Sequence, residues 1–134
     1  MNASILEQVA DRSTCDLQLV EKFDAYFAGV VPAEYLEFLR QCDGGILANG
    51  TARFFSATER YPYGERVWEM NKKDVRVDIL FIGHFCTQCR EDYFGYKLDG
   101  MSRETSTVYS VDPDTGDLRE EASSLSEFIE KYAD

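Results

Sequence analysis

One histidine, one tryptophan and three prolines occur in 134 residues, and 14 basic residues face 25 acidic ones. Each shortage excludes something. With His84 as the only histidine and Cys86-Thr87-Gln88-Cys89 as the only C-x-x-C, a zinc knuckle has no second pair to complete it. Neither the Pro-Cys-x-x-Cys form nor an H-x-E triplet of a zinc deaminase is present. Gly44-Gly45 is not set in a GxGxxG or GxxxxGK pattern and follows a helix instead of opening one, so it is no phosphate loop. No apolar run approaches the ~20 residues of a membrane span, and the first residues lack the basic and apolar regions of a signal peptide. The expected compartment is the cytoplasm, with Cys15, Cys42, Cys86 and Cys89 as reduced thiols.

The deficit of basic residues gives a net charge of −11, which disfavours nucleic acid and anionic membranes as partners and favours basic ones. The charge is uneven. Residues 1–52 hold eight acids and three bases, residues 53–90 five acids and seven bases, and residues 91–134 twelve acids and four bases. At this length the chain reads as one domain, 1–134, with aromatics enough for a core that needs neither disulfide nor metal.

The clearest local signal is Val31 to Gly45. Pro32 suits a first helical turn, Tyr35, Leu36, Leu39 and Cys42 recur on one face, and Gly44-Gly45 supplies a left-handed stop. Upstream, Ile5, Leu6 and Val9 suggest a short helix capped by Ser4. Leu17, Val20, Phe23 and Phe27 suggest a second, with Asp16 as N-cap and Gly29 as stop. Beyond Gly45 the period changes to two. Ile46–Ala48 and Thr51–Phe55 flank Asn49-Gly50, a type I′ hairpin signal. Val75–Phe85, with Ile79–Ile82 apolar on both faces, reads as a central strand, and Tyr93–Leu98 and Thr107–Val111 as two more. A turn at Asp112–Asp117 leads to a short return strand from Leu118. Ser124 and Glu127 form a capping box for a last helix that buries Leu125, Phe128, Ile129 and Tyr132. Helices, then an antiparallel sheet, then a helix make the fold class α+β.

Catalytic chemistry is thinly represented. His84, Cys86 and Cys89 are the sole weak candidates for a metal, and redox chemistry at a C-x-x-C would want a helix N-terminus that this segment lacks. Cys86 or Cys89 as a nucleophile would need His84 to turn toward it from within the same extended segment. Carboxylates abound without an acid/base frame. The expectation is therefore no enzyme, no catalytic residues and no cofactor. Tyr93, Phe94 and Tyr96 could stack bases, but Glu91, Asp92 and Asp99 beside them oppose it. Tyr61, Tyr63 and Trp68, in the slightly basic middle segment, have the character of contact hot spots, with closure of the core by Trp68 the equal alternative.

The Pro-started helix with Tyr35 and Phe38-Leu39, the Asp43-Gly44-Gly45 stop and the apolar strand ending at Ile82-Gly83 form an ordered set. It continues through Asp92-Tyr93-Phe94-Gly95-Tyr96, Val108 to Asp112, and the capped Ser124 to Ile129 helix. Together these resemble the SUKH superfamily, in particular its Smi/Knr-like group, over roughly residues 16–132. Val31-Pro32 replaces the more usual Leu-Pro, and Phe85–Glu91 lengthens the link before Asp92. The resemblance implies N-terminal helices, a bent antiparallel sheet and a C-terminal helix packed on it. It also implies an immunity protein that binds a cognate polymorphic or contact-dependent toxin and neutralises it stoichiometrically. A regulatory binding module of the same fold with a cellular partner is the alternative. The expected partner is a basic toxin domain, a nuclease being one class, and the expected contacts are Tyr61, Tyr63, Trp68, Asp92, Asp99 and Glu104.

Overall fold

Pro32 and the glycine pair Gly44-Gly45 bracket a helix, Ala33–Gln41, that carries Tyr35, Leu36, Phe38 and Leu39 into the core. Pro32 sits at the N-cap, one position earlier than a first-turn proline, with φ −54° and ψ 134°. Gly44 and Gly45 take φ of 80° and 125°, and a Cβ on Gly45 would stand 2.7 Å from the Ala10 carbonyl oxygen. Glycine is therefore required there for backbone angle and for room.

The structure is a computed structural model that describes residues 3–10, 16–47, 49–55 and 78–133. Its helices are α1 (Ala3–Leu6), α2 (Leu17–Tyr26), α3 (Ala33–Gln41) and α4 (Leu125–Ala133). Its strands are β1 (Val9–Ala10), β2 (Gly45–Leu47), β3 (Ala52–Phe54), β4 (Ile79–Phe85), β5 (Tyr93–Lys97), β6 (Val108–Val111) and β7 (Leu118–Ala122). They form one antiparallel sheet in the order β1-β2-β3-β4-β5-β6-β7, so the α+β class holds and β4 is central. One face of the sheet is covered by helices. Phe54, Phe85 and Phe94 meet Phe128 of α4 with ring centroids 4.4–6.3 Å apart, and Tyr96 meets Tyr35 of α3 at 6.0 Å. Burying this aromatic layer is the main favourable term, each ring removing roughly 150–250 Å² from water.

Several local expectations change. Val9 leaves the first helix and pairs with Leu47 at the sheet edge, and Ser4 lies inside α1 instead of capping it. Asp16 does cap α2, accepting from the Gln18 N–H at 2.8 Å. In the Asn49-Gly50 turn Gly50 is left-handed (φ 79°). Asn49 Oδ1 accepts from Thr51 N–H, while Asn49 Nδ2 and Thr51 Oγ1 donate to the Tyr132 carbonyl at the end of α4. The capping box at α4 is half formed. Ser124 Oγ accepts from Glu127 N–H at 3.1 Å, whereas the Glu127 carboxylate turns to Ser123 Oγ. Another N-terminal donor of α4, Leu125 N–H, goes to Glu34 Oε1 of α3 at 3.1 Å. Among the described residues no helix is long and apolar enough to cross a membrane.

Candidate interaction surface

The antiparallel order sorts the loops to two ends of the sheet. At one end lie the β2–β3 turn, the β4–β5 turn (86–92), the β6–β7 turn (112–117) and the C-terminus of α4. At the other lie the β5–β6 loop (98–107) and the N-termini of α3 and α4. Asp92 precedes β5 and Asp99 follows it, so strand geometry at about 3.3 Å per residue sets them roughly 20 Å apart. The structure brings Asp99 and Glu104 into the same loop and keeps Asp92 away from both.

Asp99 and Glu104 are exposed, and among the described residues neither carboxylate has an ion-pair partner. Their backbone N–H groups are held by Asp78 Oδ2 (3.2 Å) and Ser102 Oγ (3.2 Å), which fixes the loop under two free charges. Arg103, between them in the loop, points away. It makes a bidentate pair with Asp24 of α2 (2.6 Å each) and donates to the Val31 carbonyl, while its own carbonyl accepts from Ala33 N–H. The Asp24 hydrogen bond raises the Arg103 pKa. One loop thus anchors the α2–α3 corner from one residue and presents acids from its neighbours.

Asp92 is different. Its side chain is only 11% exposed, because Arg90 donates to both of its carboxylate oxygens at 3.2 and 2.8 Å. Arg90 also donates to Glu121 Oε1 (2.7 Å) and to the Tyr132 hydroxyl (3.1 Å), and its guanidinium lies 3.7 Å over the Phe85 ring. Glu121 is the centre of this cluster. The β6–β7 ladder slips between Val108/Ala122 and Tyr109/Glu120, leaving Glu121 as the extra residue of a β-bulge. The Glu121 carboxylate, 3% exposed, lies on the face that Ser110 and Arg119 share and meets Ser110, Arg90, Arg119 and Tyr132. Burial alone would raise the Glu121 pKa; hydrogen bonds from Arg90, Tyr132 and Ser110, with the Arg90 charge, hold it at about 2. Burial would likewise lower the Arg90 pKa, and Asp92 and Glu121 overturn that and raise it.

With this geometry in place the family can be assigned, since the profile of the SMI1 / KNR4 family (SUKH-1) matches residues 14–131. The chain belongs to the SUKH-1 family. A search of curated proteins gave no match.

In this SUKH-1 chain the other sequence candidates fall on the second face of the sheet or outside the described residues. Arg53, His84 and Tyr93 are successive cross-strand partners on β3, β4 and β5, facing away from α4. His84 packs against Phe55 and Tyr93, each at 5.9 Å, and those two rings touch each other at 6.1 Å. Cys86 and Cys89 are free and exposed, and Cys42 is buried. Cys86 Sγ lies 3.7 Å from His84 Nδ1; burial raises its pKa, with Arg53 offsetting part of that. Tyr61, Tyr63, Trp68 and Cys15 lie outside the described residues. Sequence reasoning missed Arg90, Glu121 and Arg103 altogether. The one signal available for them was the Arg-x-Asp spacing of Arg90 and Asp92, which puts opposite charges on one strand face.

Proposed function

We propose that this SUKH-1 chain is an immunity protein, binding a cognate basic toxin domain one to one and blocking it without catalysis. Family membership over residues 14–131 carries the reading, since the resemblance implies toxin neutralisation by binding. The excess of acids over bases supports a basic partner, one class being a nuclease whose substrate groove is cationic. In this reading Asp99 and Glu104 steer the encounter from a fixed loop. Asp92 acts through its pair with Arg90 more than as a free charge, and Tyr61, Tyr63 and Trp68 add apolar contacts that slow dissociation.

The test is capture of partners from the host lysate with this chain as bait, followed by co-expression with whatever toxin domain is recovered. Growth rescued by the wild-type chain, with a 1:1 complex in solution, is the expected result. Recovery of a housekeeping complex at matching stoichiometry, without a toxin, would replace the immunity reading with the regulatory module. Given a toxin, the Asp99→Lys/Glu104→Lys variant should associate roughly tenfold more slowly at low salt. An unchanged on-rate would remove those two residues from the contact surface.

A further inference from the structure

His84-Phe85-Cys86-Thr87-Gln88-Cys89 is an incomplete ligand set, and the sheet gives it a geometry. His84 and Cys86 are two apart on β4 and its extension, so both face away from α4. Their ligand atoms, Nδ1 and Sγ, stand 3.7 Å apart. A tetrahedral zinc ion with a sulfur at about 2.3 Å and a nitrogen at about 2.05 Å separates those two atoms by about 3.6 Å. The pair already spans one edge of such a tetrahedron. The imidazole packs against the adjacent rings of Phe55 and Tyr93, which restrict it more than the exposed Cys86 is restricted.

The turn supplies the rest. Thr87 and Arg90 exchange both backbone hydrogen bonds (3.2 and 3.3 Å), which closes a two-residue loop of Gln88 and Cys89. The same register, running from His84↔Tyr93 through Phe85 N–H to Asp92 O, sets Glu91 directly across from Cys86 on the shared face. Cys89 and Glu91 are both exposed, so their side chains are able to swing. Arg90, fastened to Asp92, Glu121 and Tyr132, keeps the base of the turn fixed beneath them.

We propose that His84, Cys86 and Cys89, with Glu91 as the fourth ligand, form a binding site for a borderline-soft divalent cation of the zinc class. In the free protein the set is open. Among the described residues no three His, Cys, Asp or Glu side chains meet at one point, so the ion draws Cys89 and Glu91 onto the His84–Cys86 edge. Binding deprotonates the two thiols and releases their protons to solvent. His84 Nδ1 also lies 3.2 Å from the Phe85 carbonyl, a contact that favours a proton on Nδ1 in the free protein. Coordination there leaves the imidazole proton on Nε2. The site stands whether or not the chain neutralises a toxin, and it would staple the β4–β5 turn to the outer face of the sheet.

The full chain, reduced and metal-free, is titrated with Cd²⁺ while the ultraviolet thiolate-to-metal absorption is followed, and Zn²⁺ is then added in competition. One equivalent is expected to bind and to be displaced by Zn²⁺. Affinity should fall by more than about tenfold in Cys86→Ser and in Cys89→Ser, and stay unchanged in Cys15→Ser. Both substituted thiols are exposed, so circular dichroism of the variants should match the wild type, which separates ligand loss from misfolding. A thiolate band that never appears at saturating Cd²⁺, or one undiminished in either the Cys86 or the Cys89 variant, overturns the proposal.

Discussion

Glu121 and Glu34 are two carboxylates tucked beneath the same helix, and they are satisfied in opposite ways. Glu121, in the β7 bulge, has a guanidinium against it together with two hydroxyl donors. Among the described residues Glu34 receives only neutral donors, the Tyr96 hydroxyl at 3.0 Å and the Leu125 N–H at 3.1 Å, and no cation. The titration behaviour separates accordingly. Glu121 is held at about 2, whereas burial raises Glu34 and its two hydrogen bonds recover only part of the loss. Tyr96, wholly buried, is pushed well up as well, by its burial and by the adjacent Glu34 charge. A helix N-terminus and a hydroxyl do not replace a cation when both groups are withdrawn from water.

The largest effect should come from breaking the charged site. Arg90→Met strands Glu121 and Asp92 together, and loss of a buried pair's partner is expected to remove about 3 kcal/mol of stability in urea unfolding. It should also release the β4–β5 turn, seen as faster amide exchange at residues 86–92. Glu121→Gln, which keeps the shape and loses the charge, should cost less than Arg90→Met, because Asp92 still neutralises the guanidinium.

The pH dependence sharpens the contrast. The folded pKa of Glu121 lies below its ordinary 4.5, so its contribution is complete above that value and is lost as pH falls toward 2. Glu34 has the reverse sign. Its folded pKa lies above the ordinary value, so its ionised form weakens the fold at neutral pH, and protonation on mild acidification relieves this. Unfolding free energies measured from pH 7 downward should fall less steeply below pH 4.5 in Glu121→Gln than in the wild type. In Glu34→Gln the mild-acid gain should vanish, with a stability change at pH 7 of only about 1 kcal/mol in either direction. Smallest of all should be Arg103→Ala, since its pair with Asp24 is formed in water; a slight drop in melting temperature, lessened by salt, is the expected reading.

The same contrast marks how far sequence carries. Helix α3 was legible because Pro32 and Gly44-Gly45 have backbone requirements that no neighbour can alter, and α4 because its apolar stripe is strict. Val9 was misplaced because a two-residue edge strand is too short to show a period. The Asn49 turn signal gave no hint that Asn49 and Thr51 are tied to a carbonyl more than 80 positions away. Asp92 read as an exposed acid; the pair with Arg90 conceals it. Glu121 could not be found at all. Leu118-Arg119-Glu120-Glu121-Ala122 looks like a solvated strand, and the partners that bury its second glutamate, Arg90, Ser110 and Tyr132, all lie on other elements. Long-range satisfaction of a polar group leaves no local pattern.

The strand order has a consequence for a chain made from its N-terminus onward. Each described strand pairs with the one before it, so the sheet can be extended strand by strand as the polypeptide emerges. The cover arrives last. Phe54, Phe85 and Phe94 wait for Phe128, and the Glu34 carboxylate waits 91 positions for the Leu125 N–H. Until α4 is made, the part of the sheet that α3 does not cover shows Phe85 and Phe94 to water.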